Sequence, residues 1–202
     1  MDYWVRTQTP PDVTILIMEK VSAKPAASVM VVRESDQDLE VLLLKRNQKI
    51  TFHGGAWVFP GGRVDDADSG DFTIDSEEAG RLAGVREVKE EAGLTLIPSA
   101  LVPFSHWTTP VDLPKRFATW FFFAPTAPRN EVVIDNSEIV DFMWIRPEEA
   151  LKSHRKGALE LPAPAYVTLL KFSSCASVTQ LEHKIKSSDV QYFAPRLVKL
   201  AK

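Results

Sequence analysis

Apolar positions along this chain recur with two periods, and the switches between them predict the order of its elements. Short runs rich in Val, Ile, Leu and Phe, bounded by turn residues, read as strands. They fall at Ala27–Val32, Val41–Lys45, Ala56–Phe59, Leu94–Ile97, Val102–His106, Phe117–Ala124 and Ile139–Ile145. Glu34-Ser35-Asp36-Gln37-Asp38 carries the turn chemistry of a hairpin between the first two, and Pro125-Thr126-Ala127-Pro128 closes a later one. A helix lies between the third and fourth strands. Asp75 or Ser76 can cap its free N–H groups, Asp75 and Glu78 have capping-box spacing, and Gly93 suits the left-handed position that ends it. At roughly 100° per residue, Leu82, Val85, Val88 and Ala92 share the face opposite Glu87, Glu90 and Glu91. After Pro147 the spacing becomes helical, with one helix opening at Pro147-Glu148-Glu149-Ala150-Leu151 and others over Ala165–Phe172 and Val178–Ile185. The pattern predicts an α/β (α+β) fold: a mixed sheet sandwiched by helices, α/β/α, with a helical C-terminal extension.

The polar face of the central helix changes the picture. Glu87, Glu90 and Glu91 stand at i, i+3 and i+4, so three carboxylates share one side of the helix and repel one another. A solvated helix face would tolerate this; a hard divalent cation between them would use it. Just upstream, Trp57-Val58-Phe59-Pro60-Gly61-Gly62-Arg63-Val64 breaks a strand with two glycines, which let the backbone come close to a ligand or metal. Alone it is a turn. Beside the acids, it would supply a main-chain carbonyl to an all-oxygen site suited to Mg²⁺ or Mn²⁺.

Composition sets outer limits. With 202 residues, 45% of them hydrophobic and 25% charged, the chain can bury a full core in one domain. A formal net charge of −3, without a long basic run, argues against a nucleic-acid coat protein, and no apolar run reaches membrane-spanning length. The single cysteine, Cys175, cannot form an internal disulfide and reads as a packed small residue. The start, Met1-Asp2-Tyr3-Trp4-Val5-Arg6, lacks the order of a secretory signal, and Val198-Lys199-Leu200-Ala201-Lys202 is not a peroxisomal address, so a cytoplasmic location is expected.

The pattern Gly62, Glu78, Arg86-Glu87-Val88-x-Glu90-Glu91-x-Gly93-Leu94 resembles the Nudix box of the Nudix hydrolases. At residue frequencies of about 6%, the five fixed residues of R-E-x-x-E-E-x-G arise by chance in about one chain in ten thousand. The spacing departs from the family: five residues usually separate the box glycine from the first Glu, whereas Arg63 to Glu77 makes fifteen. The ten extra residues, Asp65 to Ile74, are expected to loop out. Asp65, Asp66, Asp68 and Asp71 in that loop are either solvated or helpers of the metal. The lengthened loop resembles that of the coenzyme A diphosphatase branch. Leu42-Leu43-Leu44-Lys45-Arg46-Asn47, with Gly55 and Phe59-Pro60-Gly61-Gly62, keeps the spacing of that branch's coenzyme A motif, with Leu44, Asn47 and Thr51 differing from it. His106-Trp107-Thr108-Thr109-Pro110, Pro114-Lys115-Arg116-Phe117 and the stretch from Trp144 to Ala150 are similar to the same branch.

The resemblance implies a Mg²⁺- or Mn²⁺-dependent hydrolase that splits the diphosphate of a small-molecule nucleotide. Coenzyme A or acyl-coenzyme A is the favoured substrate, giving 3′,5′-ADP and (acyl)phosphopantetheine. An ADP-sugar, a dinucleotide or a catalytically silent nucleotide sensor stay open. Glu90 and Glu91 are implied metal ligands with the Gly61 carbonyl nearby, and Glu87 is a ligand or the general base. Arg86 holds the carboxylates, while Glu78 is either a helix cap or its ion-pair partner. Glu138, at the head of a strand, is the outside candidate for the base. Arg46, Arg63, Lys115 and Arg116 offer a positive rim for phosphates, and Phe104 and Trp107 are aromatic surfaces for an adenine or core residues. His53 and His106 lack metal-ligand spacing and are at most phosphate donors. The expected organisation is an N-terminal segment (1–25), the Nudix domain (26–155) and a helical extension (156–202) packed on it, with a homodimer left open.

Overall fold

The computed structural model describes residues 21–35 and 38–196, and its fold is built outward from one strand. In β1 (Lys24–Glu34) Val29 and Val31 face one side, Met30 and Val32 the other, and all four are fully buried. A strand apolar on both faces needs cover on both. β2 (Leu39–Arg46) repeats the pattern, with Leu42 and Leu44 on the first face and Val41 and Leu43 on the second.

β1 and β2 pair antiparallel from Val32–Val41 to Glu34–Leu39. At the other end a wedge separates them: β3 (Trp57–Val58) pairs with β2 at Leu44 and Lys45, and β4 (Gly61–Arg63) pairs with β1 at Ala26 to Ser28. β6 (Phe117–Pro125) runs parallel to β1 on its far side, and β5 (Val102–Thr108) runs antiparallel to β6. β8 (Gln191–Phe193) lies parallel to β5, and β7 (Ile139–Ile145) flanks the outer side of β2. The mixed sheet has eight strands among the described residues.

α1 (Asp66–Ser69) and α2 (Glu77–Ala92) lie on the first face, where α2 contributes Ala79, Ala83, Val88 and Ala92 to the core. α3 (Pro147–Arg155), α4 (Ala163–Phe172) and α5 (Val178–Lys186) cover the second. There Leu151, Leu169, Phe172, Leu181 and Ile185 pack with Met30, Val32 and Leu43, and Cys175 is buried among them. The α/β/α layering is therefore the one the sequence pattern predicts. Asp36 and Gln37 of the expected hairpin turn, and the expectations for residues 1–20 and 197–202, lie outside the described residues.

Three local expectations are corrected. Leu94–Ile97 is not a strand: Leu94 is buried, Thr95 and Ile97 are exposed, and the chain runs into a 3-10 turn at Pro98–Ala100. The run lies between the left-handed Gly93 that ends α2 and the turn at Pro98, and Leu94 is its one buried residue. The insertion does not simply loop out, because it forms α1 and buries Asp68. The buried face of α2 is also rotated from the expected one. Gly80 and Gly84 face the sheet while Leu82 is 36% exposed. A Cβ on Gly84 would stand 2.9 Å from Val29 Cγ2, and one on Gly80 would stand 3.1 Å from Trp120 Cδ1. Each glycine costs the helix about 1 kcal/mol against alanine, and the pair lets the axis come close to the sheet. The ends hold: Ser76 accepts the Ala79 N–H at 3.1 Å as N-cap, and Gly93, at φ +70°, donates to Lys89 O.

Urea unfolding separates the two versions of this face. Val88→Ala is expected to lower stability by about 1–3 kcal/mol, whereas Leu82→Ala stays within about 0.5 kcal/mol. A larger loss from Leu82→Ala than from Val88→Ala would restore the face expected from periodicity alone.

Candidate active site

Three parts of the fold converge where the wedge enters the sheet: the β3–β4 segment, the C-terminal half of α2, and the adjoining ends of β2 and β7. The glycines of the wedge are dictated by space. A Cβ on Gly61 would lie 2.3 Å from Ala27 O, and one on Gly62 would lie 2.2 Å from Glu87 Oε1. Glu87 therefore rests against the Gly62 backbone. Glu91 is held from the same loop, its Oε2 accepting the Gly61 N–H at 2.9 Å. The sequence placed the Gly61 carbonyl beside the acids; the contact formed is made by its N–H.

A β-bulge between Lys45 and Arg46 in the β2–β7 pairing marks the point where Arg46 enters the site. Its Nη2 donates to Glu138 Oε1 at 2.5 Å, and its Nη1 stands 3.8 Å from Glu91 Oε1. Glu138 sits at the head of β7 because the Asp135 carboxylate accepts the N–H groups of Glu138 and Ile139, each at 2.8 Å. The Asn47 N–H donates to Glu138 O at 2.8 Å and ties this loop to the end of β2.

Arg86 is saturated. Its five N–H groups find five acceptors. Nε and Nη2 grip Asp68 with bonds of 3.1 and 2.9 Å, Nη1 donates to Glu87 Oε1 at 2.9 Å and Glu90 Oε2 at 3.0 Å, and Nη2 also reaches Arg63 O at 2.9 Å. Glu78, offered by the sequence as cap or partner of Arg86, is exposed and is neither. Burial pushes the Asp68 carboxyl up, but the bonds from Arg86 and the Asp65 N–H outweigh it and hold it below the usual carboxylate range.

The acids grade from buried to open: the side chains of Glu91, Glu87 and Glu90 are 6%, 15% and 58% exposed. Burial pushes the Glu91 carboxyl up to about 8, against the Gly61 N–H and Arg46, with Glu87 and Glu138 adding to the rise. Burial raises Glu87 too, partly offset by Arg86. Asp65, Asp68, Glu87, Glu90, Glu91 and Glu138 face only Arg46 and Arg86, an excess of four negative charges when all are ionised. Among the described residues no three of these acids stand together as a ready-made ligand group. Arg86 lies between Glu87 and Glu90, and the Gly61 N–H holds Glu91. The donor set nonetheless fits a hard divalent ion, being all oxygen and short of positive charge.

The remaining candidates divide. Arg63 and Lys115 are exposed. Arg116 donates from Nε to Thr109 O and Pro110 O at 3.2 Å and from Nη1 to Val21 O at 2.6 Å, which ties it to that loop. Trp107 stacks on Phe193 and Phe104 packs on Phe121 and Phe172, both as core contacts. Burial lowers the pKa of His53 and His106, for His53 with help from Arg46. Sequence reasoning left Asp68 among loop residues and passed over Asp135. The signal for Asp68 was the five-donor fork of Arg86, more than Glu87 and Glu90 could fill, with another acid three residues after Asp65.

A sheet between helices, with a glycine wedge set against a helix of carboxylates, defines a class, and comparison with known proteins agrees. The model of the NUDIX domain matches residues 23–163, so the chain belongs to the Nudix family. It is 26% identical to an acyl-coenzyme A diphosphatase of Xenopus laevis over 75% of this chain and 64% of that protein, so it spans under two thirds of that relative. It is 30% identical to an 8-oxo-dGTP diphosphatase of Proteus vulgaris over 57% of this chain and 87% of that one. A NUDIX hydrolase from Alicyclobacillus acidocaldarius has the same fold, with a TM-score of 0.72 at 20% identity, covering 84% of this chain and 98% of that one. Nudix hydrolases in general use divalent metal ions.

Glu91 carries a pH prediction. Its folded pKa of about 8 lies above its unfolded value, so its contribution is fully present at low pH and is lost as pH rises through about 8. With divalent ions removed by chelator, Glu91→Gln should flatten the decline in melting temperature between about pH 5 and pH 9. An unchanged slope would show that Glu91 does not titrate as described.

Proposed function

We propose that the chain hydrolyses the diphosphate linkage of a nucleoside diphosphate derivative, with coenzyme A or acyl-coenzyme A as substrate, in the presence of Mg²⁺ or Mn²⁺. One observation carries the reading: buried Glu91 and half-buried Glu87 lie side by side against Gly61 and Gly62, short of positive charge. Glu87, Glu90 and Glu91 would hold the ion. When bound, it neutralises diphosphate charge and lowers the pKa of water.

The chain's own residues account for the rest. Glu138, at the open end of Arg46, takes the proton of the attacking water. The water oxygen forms a bond to one phosphorus as the bridging P–O bond breaks, and the leaving phosphate departs with the bridging oxygen. Arg46 orients Glu138, and Arg63 and Lys115, exposed on the surface, are the candidate partners of the phosphates. The coenzyme A assignment is supported by the similarity to the Xenopus enzyme. It is also supported by the place of Arg46 in the site, since Arg46 belongs to the stretch that resembles the coenzyme A motif. We take residues 26–155 as the catalytic unit, residues 156–202 as a helical C-terminal extension of the same domain, and a reducing cytoplasm as the setting.

Mass analysis of products from coenzyme A, acetyl-coenzyme A, ADP-ribose, a diadenosine polyphosphate and 8-oxo-dGTP, with Mg²⁺ or with chelator, tests the reading. The expected result is 3′,5′-ADP from the coenzyme A substrates alone, only with the ion. Preferred turnover of another diphosphate would move the substrate, and tight binding without turnover would make the chain a sensor. Glu138→Gln should lower kcat about 10²- to 10⁴-fold with Mn²⁺ affinity kept, whereas Glu90→Gln should weaken Mn²⁺ binding as well.

A further inference from the structure

The ten-residue insertion, Asp65 to Ile74, breaks the spacing of the family motif, and the structure gives part of it work at the site. We propose that Asp68 is a positioning residue that, through Arg86, sets the carboxylates of Glu87 and Glu90. The inference rests on the reading of those acids as ion ligands.

A guanidinium is a flat, rigid fork, so fixing two of its nitrogens fixes the third. Asp68 holds Nε and Nη2 side-on, which leaves both N–H groups of Nη1 for Glu87 and Glu90. Asp68 is itself anchored: it is 6% exposed, and its Oδ2 accepts the Asp65 N–H at 2.9 Å across α1. The bond from Arg86 Nη2 to Arg63 O completes the frame, joining β4 to the same fork. Without Asp68, two donors of the fork lose their acceptor, and the Arg63 carbonyl alone does not fix its plane. Glu78, which the motif offers for this task, points into solvent. A residue of the insertion has taken over from a residue of the box.

The test uses Mn²⁺ as probe on the substrate-free protein, followed by electron paramagnetic resonance. D68N and R86K should each weaken Mn²⁺ binding about 10- to 100-fold, E78Q should bind within about twofold of the unmodified protein, and the D68N/R86K double variant should bind no more weakly than R86K alone. In turnover, D68N should lower kcat with KM for coenzyme A unchanged. On the unmodified protein, the Arg86 Nε–H should exchange slowly with water by NMR, a readout that stands whether or not the variants fold. Normal Mn²⁺ binding by D68N, multiplying losses in the double variant, a loss with E78Q, or Arg86 exchange as fast as in a free arginine would each overturn the proposal. If no diphosphate is hydrolysed yet the Mn²⁺ results hold, the substrate reading fails and the role of Asp68 stands.

Discussion

The Glu91 carboxylate lies under the β3–β4 segment with its oxygens turned to the Gly61 N–H and, at 3.8 Å, to Arg46. An ionised carboxylate in that setting is uphill, since one backbone donor and one distant guanidinium replace a full hydration shell. The surrounding architecture reads as the means of holding it there. The wedge enters where β1 and β2 stop pairing, and its glycines let backbone lie against Ala27 and Glu87 where a Cβ would collide. Gly80 and Gly84 bring α2 close to the sheet, so residues one to two turns later reach the wedge. The acids are thus set by the sheet on one side and by two arginines on the other.

This places function and stability in opposition at one point. A fold selected for stability alone would put an apolar residue at position 91, since Ala92 and Val88 beside it already pack in the core. Under the proposed function the carboxylate is kept because a bound cation would meet its charge. The same reasoning explains the gradation along the helix. Glu91 is enclosed, Glu87 half enclosed and Glu90 open, so under that reading a cation approaching from solvent would meet an exposed acid first and buried ones last.

Legibility in the sequence follows how local each cause is. Strands buried on both faces, the C-cap at Gly93 and Pro147 at the first turn of α3 depend on nearby residues, and all were readable. The apolar face of α2 was not. Periodicity ranks Leu82 as core, but the helix comes too close to the sheet for large side chains at the contact, and that distance is set by Trp120 and Val29 far along the chain. Leu94–Ile97 has strand composition but pairs with no strand, while β8, only Gln191–Phe193, pairs along the side of β5 away from β6. Of the site, the three glutamates, Arg46, Arg86 and Glu138 were legible, and the structure brings them together. Arg116 was read for its charge, whereas its bonds show a loop clamp.

Asp68 marks the boundary most clearly, because the motif itself misdirects there. Spacing made the insertion look like a detour, and its acids looked like a solvated loop. Donor counting gives the physical reason. Arg86 sits in a half-buried place with five N–H groups, its neighbours Glu87 and Glu90 fill two, and a desolvated guanidinium donor left unpaired costs on the order of 1–3 kcal/mol. Further acceptors had to come from another segment, and an insertion with four aspartates directly before the helix was the nearest source. A spacing that departs from a family pattern is therefore informative when the motif's arginine remains and the acid offered for it within the motif does not reach it. The sequence then asks which new residue accepts, and the insertion is the place to look.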